Sequence, residues 1–333
     1  MGALGQLTPR SEAPVFVVGC PRSGTTLLYH MLLSAGNFAV YRAESQVFNI
    51  LEPRFGDLSN SRNLRAMLSS WYESPLFQKT GLRREDVDAI VTNECRNGGD
   101  FLRIYMDAMA RQQQVGRWAD CTPEHLLYLK RIKHTIPDAL IIHVLRDGRD
   151  VSLSLEKQGW IRPFRWHDEA GLAVAAMYWD WIVRRGRSQG LKLGADYLEV
   201  QYENLVQDPA AALEQIGAFV AQRLDYDRIQ KVAIGSVTRP NTSFASDLKE
   251  QEFRPIARWK SGMSEEQQAV VQTLVGDTLE ELGYQTQNQL VPPDPQKLQR
   301  MRSLYQSYFS TKFLLKSKTA LGRTLVTRDL SWA

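Results

Sequence analysis

A chain of 333 residues with 43% hydrophobic side chains can bury a sizeable α/β core, as one large domain or two smaller ones. Its 41 Lys and Arg against 37 Asp and Glu leave a formal charge of +4, too mild to indicate nucleic acid by itself but suited to an anionic ligand. Cys20, Cys95 and Cys121 are an odd set without ligand spacing, which argues against a disulfide scaffold or a zinc site. Residues 1–13 carry no apolar core of a secretion signal, and no run approaches the about 18 apolar residues of a membrane span, so a reducing, cytoplasmic setting is expected.

The first element is an apolar, β-branched run, Val15 to Val18, that ends at Gly19. A short loop of Cys20, Pro21, Arg22 and Ser23 leads to Gly24, and Thr25 opens a helical pattern through Leu27, Leu28, Met31 and Leu32. Strand, tight turn and helix N-terminus together leave backbone N–H groups unpaired and add the positive end of the helix dipole, so the stretch reads as a phosphate cradle. The spacing Gly19-x-x-x-x-Gly24 copies the Walker A frame, but Thr25 stands where that frame has lysine. Arg22 is the cation that the loop offers, and a function other than ATP hydrolysis is expected.

Phe38 to Ser45 reads as a short second strand running into a polar turn that holds Glu44, a candidate base or simply a solvated carboxylate. Residues 50–115 alternate polar loops with helical patterns, clearest over 64–72 and 101–113, and read as a helical insertion. Trp118 to Asp120 is a third strand. Thr122 is a plausible N-cap and Pro123 the first turn of a helix over 125–135, with His125 read as a neutral histidine bonded to a helix-end group or solvent.

The near-continuous apolar run Ala139 to Leu145 is how a parallel strand buried on both faces reads. It ends in Arg146-Asp147-Gly148-Arg149-Asp150 before a new helix, a second strand–loop–helix junction. Arg146 and Ser154 could converge there on one phosphate, or Asp147 and Asp150 could neutralise the arginines and Asp150 cap the helix. Residues 159–168, with Trp160, Phe164 and Trp166, form an aromatic, cationic loop before a helix over 169–187. A strand over 196–202, a turn over 203–209, a helix over 210–220 and a short helix over 229–234 follow. Residues 236–262 form a polar loop ending at Arg258 and Trp259, and Ser264 caps a helix reaching Leu282. Pro292 to Pro295 reads as a linker. The basic tail from 291, with Tyr305, Tyr308 and Phe309, is either a helix touching a partner or membrane surface or one packed back on the core. Alternating strands and helices argue for one parallel sheet with ligands at the carboxyl ends of its strands.

These motifs, in this order from about residue 14 to 285, resemble the sulfotransferases that use 3′-phosphoadenosine 5′-phosphosulfate, especially bacterial members and the protein-tyrosine sulfotransferases. The resemblance implies a three-layer α/β/α sandwich around a parallel sheet, related to nucleotide kinases, over residues 1–290. It implies that Arg22, Ser23, Gly24, Thr25, Thr26 and Leu27 hold the 5′-phosphosulfate and that Arg146 and Ser154 hold the 3′-phosphate. Tyr202 is placed near the adenosine, Ser243, Arg258 and Trp259 on a late loop over the cofactor, and Glu44 as the residue that takes the acceptor proton. No metal is implied. The acceptor is a hydroxyl or amine on a small molecule, carbohydrate or peptide. One position departs: many relatives have Asp-Lys-Thr-Pro where this chain has Asp120-Cys121-Thr122-Pro123, and a thiol cannot supply the lysine's charge to the departing phosphate. Two other readings stay open, a P-loop nucleotide kinase or NTPase and a non-catalytic nucleotide-binding protein.

Overall fold

The structure, a computed structural model, describes residues 8–238, 255–286 and 294–326. Its sheet is parallel throughout and has five strands: β1 Val15–Gly19, β2 Phe38–Ala39, β3 Arg117–Asp120, β4 Leu140–Leu145 and β5 Tyr197–Gln201. The spatial order is β2-β3-β1-β4-β5. The chain therefore passes from β1 to the edge at β2, returns to lay β3 between them, then crosses β1 to build β4 and β5 on the other side. That reversal leaves a crevice at the carboxyl end of β1 and β4.

Side-chain alternation along β1 explains the two packed layers. Phe16 and Val18 enter a core with Ile141 and Leu145 of β4 and with helices Gly98–Gln112, Gly148–Gln158, Gly171–Gly190 and Glu265–Glu281. Val15 and Val17 enter the opposite core with Ile142 and Val144 and with helices Thr25–Ser34 and Pro209–Val220. This is the three-layer α/β/α arrangement expected from the sequence. Register runs from Val15 opposite Leu140 to Gly19 opposite Val144, so the two strand–loop–helix junctions that carry Arg22 and Arg146 emerge side by side. β3 stops opposite Phe16, while β1 runs on to Gly19.

Several local expectations change. β2 ends at Ala39 because the Gln113 amide takes both backbone groups of Val40, donating to its carbonyl at 3.1 Å and accepting its N–H at 2.7 Å. Residues 203–209 are not an open turn. Tyr202–Gln207 is helical, and Asp208 then caps Pro209–Val220 through the Ala211 N–H at 3.1 Å. Pro123–Tyr128 is a 3₁₀ segment without a Thr122 side-chain cap; the Thr122 hydroxyl donates instead to Asp120. The helix Gly148–Gln158 is capped by Asp147, which accepts the Arg149 N–H at 2.9 Å, and not by Asp150. Between β2 and β3 lie helices Ser61–Tyr72, Arg84–Glu94 and Gly98–Gln112. The basic C-terminal segment forms helix Pro295–Lys318, which buries Leu298, Met301, Tyr305 and Phe309. No described helix is long and apolar enough to cross a membrane.

Candidate functional site

The loop after β1 takes an unusual backbone path. Arg22 has φ 76°, and Gly24, which precedes the helix Thr25–Ser34, has φ 96°. A side chain at Gly24 would also collide with the Tyr202 ring, only 2.2 Å from where its Cβ would sit. Glycine is thus required twice, by conformation and by space. The Ser23 N–H is used by Cys20 and the Leu27 N–H by Gly24, and the Leu27 side chain is core. Gly24, Thr25 and Thr26 are left at the open end, where first-turn N–H groups lack intrahelical partners.

Arg22 is the centre of the cluster. Its Nε donates to Ser154 Oγ at 2.9 Å, and its carbonyl accepts from Arg146 Nη1 at 3.1 Å. Arg146 and Ser154, separate in sequence from the first loop, therefore meet it at a single residue. Arg146 is buried, lies 4.3 Å from the centre of the Tyr202 ring, and donates to the Pro255 carbonyl at 2.7 Å. Arg258 joins them electrostatically: burial, then the like charges of Arg146 and Arg258, hold the Arg22 guanidinium below its ordinary value. Burial and then Arg146 do the same to Arg258.

The nearby carboxylates are largely engaged elsewhere. Asp147 is paired with Arg149 at 2.7 Å. Asp150 accepts the Trp259 N–H at 2.9 Å and stands 3.9 Å from Arg146; burial pushes its carboxyl above the usual range. The buried Trp259 ring packs 3.8 Å from the Arg149 guanidinium, so this tryptophan anchors the returning chain to the second junction. Burial, the first cause, pushes the Tyr202 hydroxyl up to about 12. Three buried donors, Ser23 Oγ, Arg146 Nε and the Tyr202 hydroxyl, have no hydrogen-bond partner among the described residues. A cluster of arginines with orphaned donors suits a ligand carrying several negative charges. Ser243 lies outside the described residues.

A second group sits beside the loop. Thr25 bonds the Cys121 side chain, and the charge of Glu44 acts on that same thiol. Burial first, then Glu44 and Asp120, push Cys121 well above the usual thiol value, so it is a neutral SH. Glu44 itself accepts a hydrogen bond from the Gln46 amide. His125 contributes scaffolding: Nδ1 meets Asp120 at 2.8 Å and Nε2 accepts the Phe48 N–H at 3.3 Å, all of it buried. It is held by a strand-end carboxylate and a backbone N–H, where the sequence suggested a helix-end group or solvent. That pair ties the segment after Glu44 to the end of β3.

Sequence reasoning missed Gln46, Asn49 and Glu203. Glu203 accepts the Asp147 N–H at 3.0 Å and the Tyr284 hydroxyl at 2.9 Å, which steadies the second junction. No spacing signal announces these polar residues: Gln46 bonds its near neighbours Glu44 and Asn49 without a distinctive pattern, while Asn49 and Glu203 also take partners from distant segments. Trp160, read only as part of an aromatic loop, lies 5.7 Å from the Arg22 guanidinium and is half exposed.

The sulfotransferase family model matches residues 14–226. No curated protein matches the chain. Among solved structures, the sulfotransferase domain of the Synechococcus PCC 7002 olefin synthase is similar with a TM-score of 0.55 at 20% identity, over 82% of this chain and 96% of that one. A sulfotransferase from Mycobacterium avium has a TM-score of 0.44 at 15% identity, covering 83% and 78% of the two chains. Retinol dehydratase, solved with androsterone and the inactive cofactor PAP, has 0.41 at 14%, covering 83% and 82%. The first likeness shows the fold, a P-loop-kinase-like sandwich. The family match covers well over half of the chain, including Arg22, Glu44, Arg146, Ser154 and Tyr202, and on that ground the chain belongs to the sulfotransferase family.

Proposed function

We propose that this protein transfers a sulfuryl group from 3′-phosphoadenosine 5′-phosphosulfate to an acceptor hydroxyl or amine by in-line displacement. The observation that carries the reading is the convergence of Arg22, Arg146 and Arg258 around the glycine turn, with Ser23 Oγ, Arg146 Nε and the Tyr202 hydroxyl buried and unpartnered. The donor set fits a ligand with two separated phosphate groups. Arg22 with Ser23, Gly24, Thr25, Thr26 and Leu27 would hold its 5′ end. Arg146 and Ser154 would hold its 3′-phosphate, Tyr202 would flank the adenosine, and Arg258 and Trp259, with Ser243, would close that side. The cofactor supplies the sulfuryl group and a phosphate leaving group.

The chain's own residues divide the remaining work. Glu44 takes the acceptor proton, since it is a carboxylate beside the glycine-turn helix. Arg22 and the loop N–H groups are fixed in advance where negative charge grows, which is the most effective form of electrostatic catalysis. Cys121 offers no charge, so Arg22 carries the leaving phosphate without the lysine that many relatives have.

The test is calorimetry with adenosine 3′,5′-bisphosphate in the absence of Mg²⁺, beside transfer of labelled sulfate to a panel of phenol, glucosamine and a tyrosine peptide. Saturable one-to-one binding is expected, weakened about 100-fold by Arg146→Ala. Arg22→Ala and Glu44→Gln should each lower transfer by about 100-fold. Preference for Mg-ATP over the bisphosphate would reject the reading in favour of a kinase. Binding without transfer to any acceptor would favour a non-catalytic nucleotide-binding protein.

A further inference from the structure

We propose that Gln46 is a positioning residue for the Glu44 carboxylate, itself oriented by a part-buried hydrogen-bond chain through Asn49 to Glu124. The proposal rests on the reading of Glu44 as the base. The chain of bonds has one polarity. The Tyr178 hydroxyl donates to Glu124 Oε1 at 3.3 Å, and Asn49 Nδ2 donates to Glu124 Oε2 at 3.2 Å. The same Asn49 nitrogen donates to Gln46 Oε1, and Gln46 Nε2 donates to Glu44 Oε2.

An amide can be turned end for end, but here turning is costly at every step. A flipped Asn49 would set its oxygen against the Glu124 carboxylate and against the Gln46 oxygen. With Asn49 fixed, the Gln46 oxygen must face it, and the Gln46 NH₂ must face Glu44. Both amides are buried, so water is no ready substitute partner. Glu44 therefore always meets a donor. A donor favours the ionised carboxylate, the form that accepts a proton, and restricts its rotamer.

The backbone points the same way. Gln46 has φ 54°, a left-handed conformation unusual for a residue other than glycine. Its N–H donates to the Thr122 hydroxyl at 3.4 Å, and its carbonyl accepts from the Ile50 and Leu51 N–H groups at 3.0 Å each. The turn that follows, Val47–Leu51, is π-helical, a rare geometry frequent at functional sites. Three links, to Thr122, to the π turn and to Asn49, thus hold a side chain that then reaches back to Glu44. Strain maintained by so many contacts is the pattern of a site whose geometry matters.

The experiment uses the full chain. Turnover is measured with labelled cofactor and the mixed panel of phenol, glucosamine and tyrosine peptide. Binding is measured with adenosine 3′,5′-bisphosphate. Gln46→Met keeps the shape and removes the donor. It should lower turnover about tenfold while the bisphosphate dissociation constant stays within about twofold. In a Glu44→Gln background, Gln46→Met should cost nothing further, because the two act as one unit. An independent readout needs no turnover: the Gln46 side-chain NH₂ in a ¹⁵N-correlation spectrum should lie downfield and move toward the free position in Asn49→Leu. Wild-type turnover in Gln46→Met, with Glu44→Gln inactive, would overturn the proposal. So would an equal loss from Gln46→Met in both backgrounds, or a Gln46 amide already at the free position. If Glu44→Gln keeps full turnover, the base reading fails instead, and the amide signal alone decides whether Gln46 holds Glu44.

Discussion

At Gly24 two independent constraints act on one residue. Its φ of 96° is a conformation that costs other L-residues about 1–2 kcal/mol, and the Tyr202 ring fills the place of a side chain. Overpacking of a fixed aromatic adds about 1–3 kcal/mol. Gly24→Ala should therefore lower unfolding free energy by about 2–5 kcal/mol in urea titration and weaken bisphosphate binding with it. A change of only about 1–2 kcal/mol would mean that the Tyr202 contact yields freely and the backbone conformation alone sets the cost. The glycine was legible, because the spacing Gly19 to Gly24 announces a tight turn. Its second constraint was not, because Tyr202 is distant in the chain. The same holds for Arg22. The sequence marked it as the loop's cation, but only the fold joined it to Ser154 and to Arg146 through its carbonyl. Gln46 gave no signal at all, since a glutamine two residues from a glutamate has no distinctive spacing.

Among the elements, β4 shows how a polar residue is carried inside a buried strand. His143 is fully buried, and its Nδ1 meets the Tyr197 hydroxyl at 2.6 Å. That hydroxyl donates to Glu199 at 2.9 Å, so Nδ1 must be the donor toward Tyr197. Nε2 has no partner among the described residues, so a second proton would be buried without an acceptor. Burial accordingly pushes the His143 pKa down to about 4, with Arg187 adding to the effect and Glu199 opposing it. A base with a depressed folded pKa binds protons more readily when unfolded, so stability falls as pH drops below about 6.5 and stops falling below about 4. The loss from this group is on the order of 3 kcal/mol by pH 4. His143→Asn, whose Nδ2 stands where Nδ1 does and can still donate to Tyr197, should flatten that part of the curve of unfolding free energy against pH. An unchanged slope between pH 6.5 and 4 would show that other groups set it. The strand itself was readable from its continuous apolar run. The early end of β2 and the π turn after Gln46 were not, because both depend on side-chain and backbone bonds to other segments.

Across the whole molecule, the C-terminal helix couples the core of Phe16 and Val18 to the site. Of the two readings that the basic tail allowed, the described helix Pro295–Lys318 takes the packed one. Tyr305 stacks on Phe164, 4.9 Å between rings, and its hydroxyl accepts the Phe164 N–H at 2.9 Å. Trp181 donates to Ser310 Oγ at 3.0 Å. The helix thus braces the aromatic loop that brings Trp160 to Arg22. A chain ending at residue 290 would expose the partners of four buried side chains, each worth about 1.5–3 kcal/mol as an upper bound. It should unfold well below the full chain in a thermal scan and show increased dye binding to exposed apolar surface. An unchanged transition would mean that the helix only rests on the surface.

What the sequence by itself determined about this protein is local in origin: the glycine turn lacking a Walker lysine, the second arginine junction, the buried parallel strands and the family these motifs resemble. Each follows from residues within one short stretch, where backbone geometry and side-chain period leave few choices. Only the tertiary structure decided which groups share a site. The strand order set β4 beside β1, which joined Arg146 and Ser154 to Arg22; the end of β3 brought Cys121 to Thr25 and Glu44; and the docking of the last helix braced the loop of Trp160. Those contacts arise from segments far apart in the chain, and their energy exists only when the sheet and its two cores have assembled.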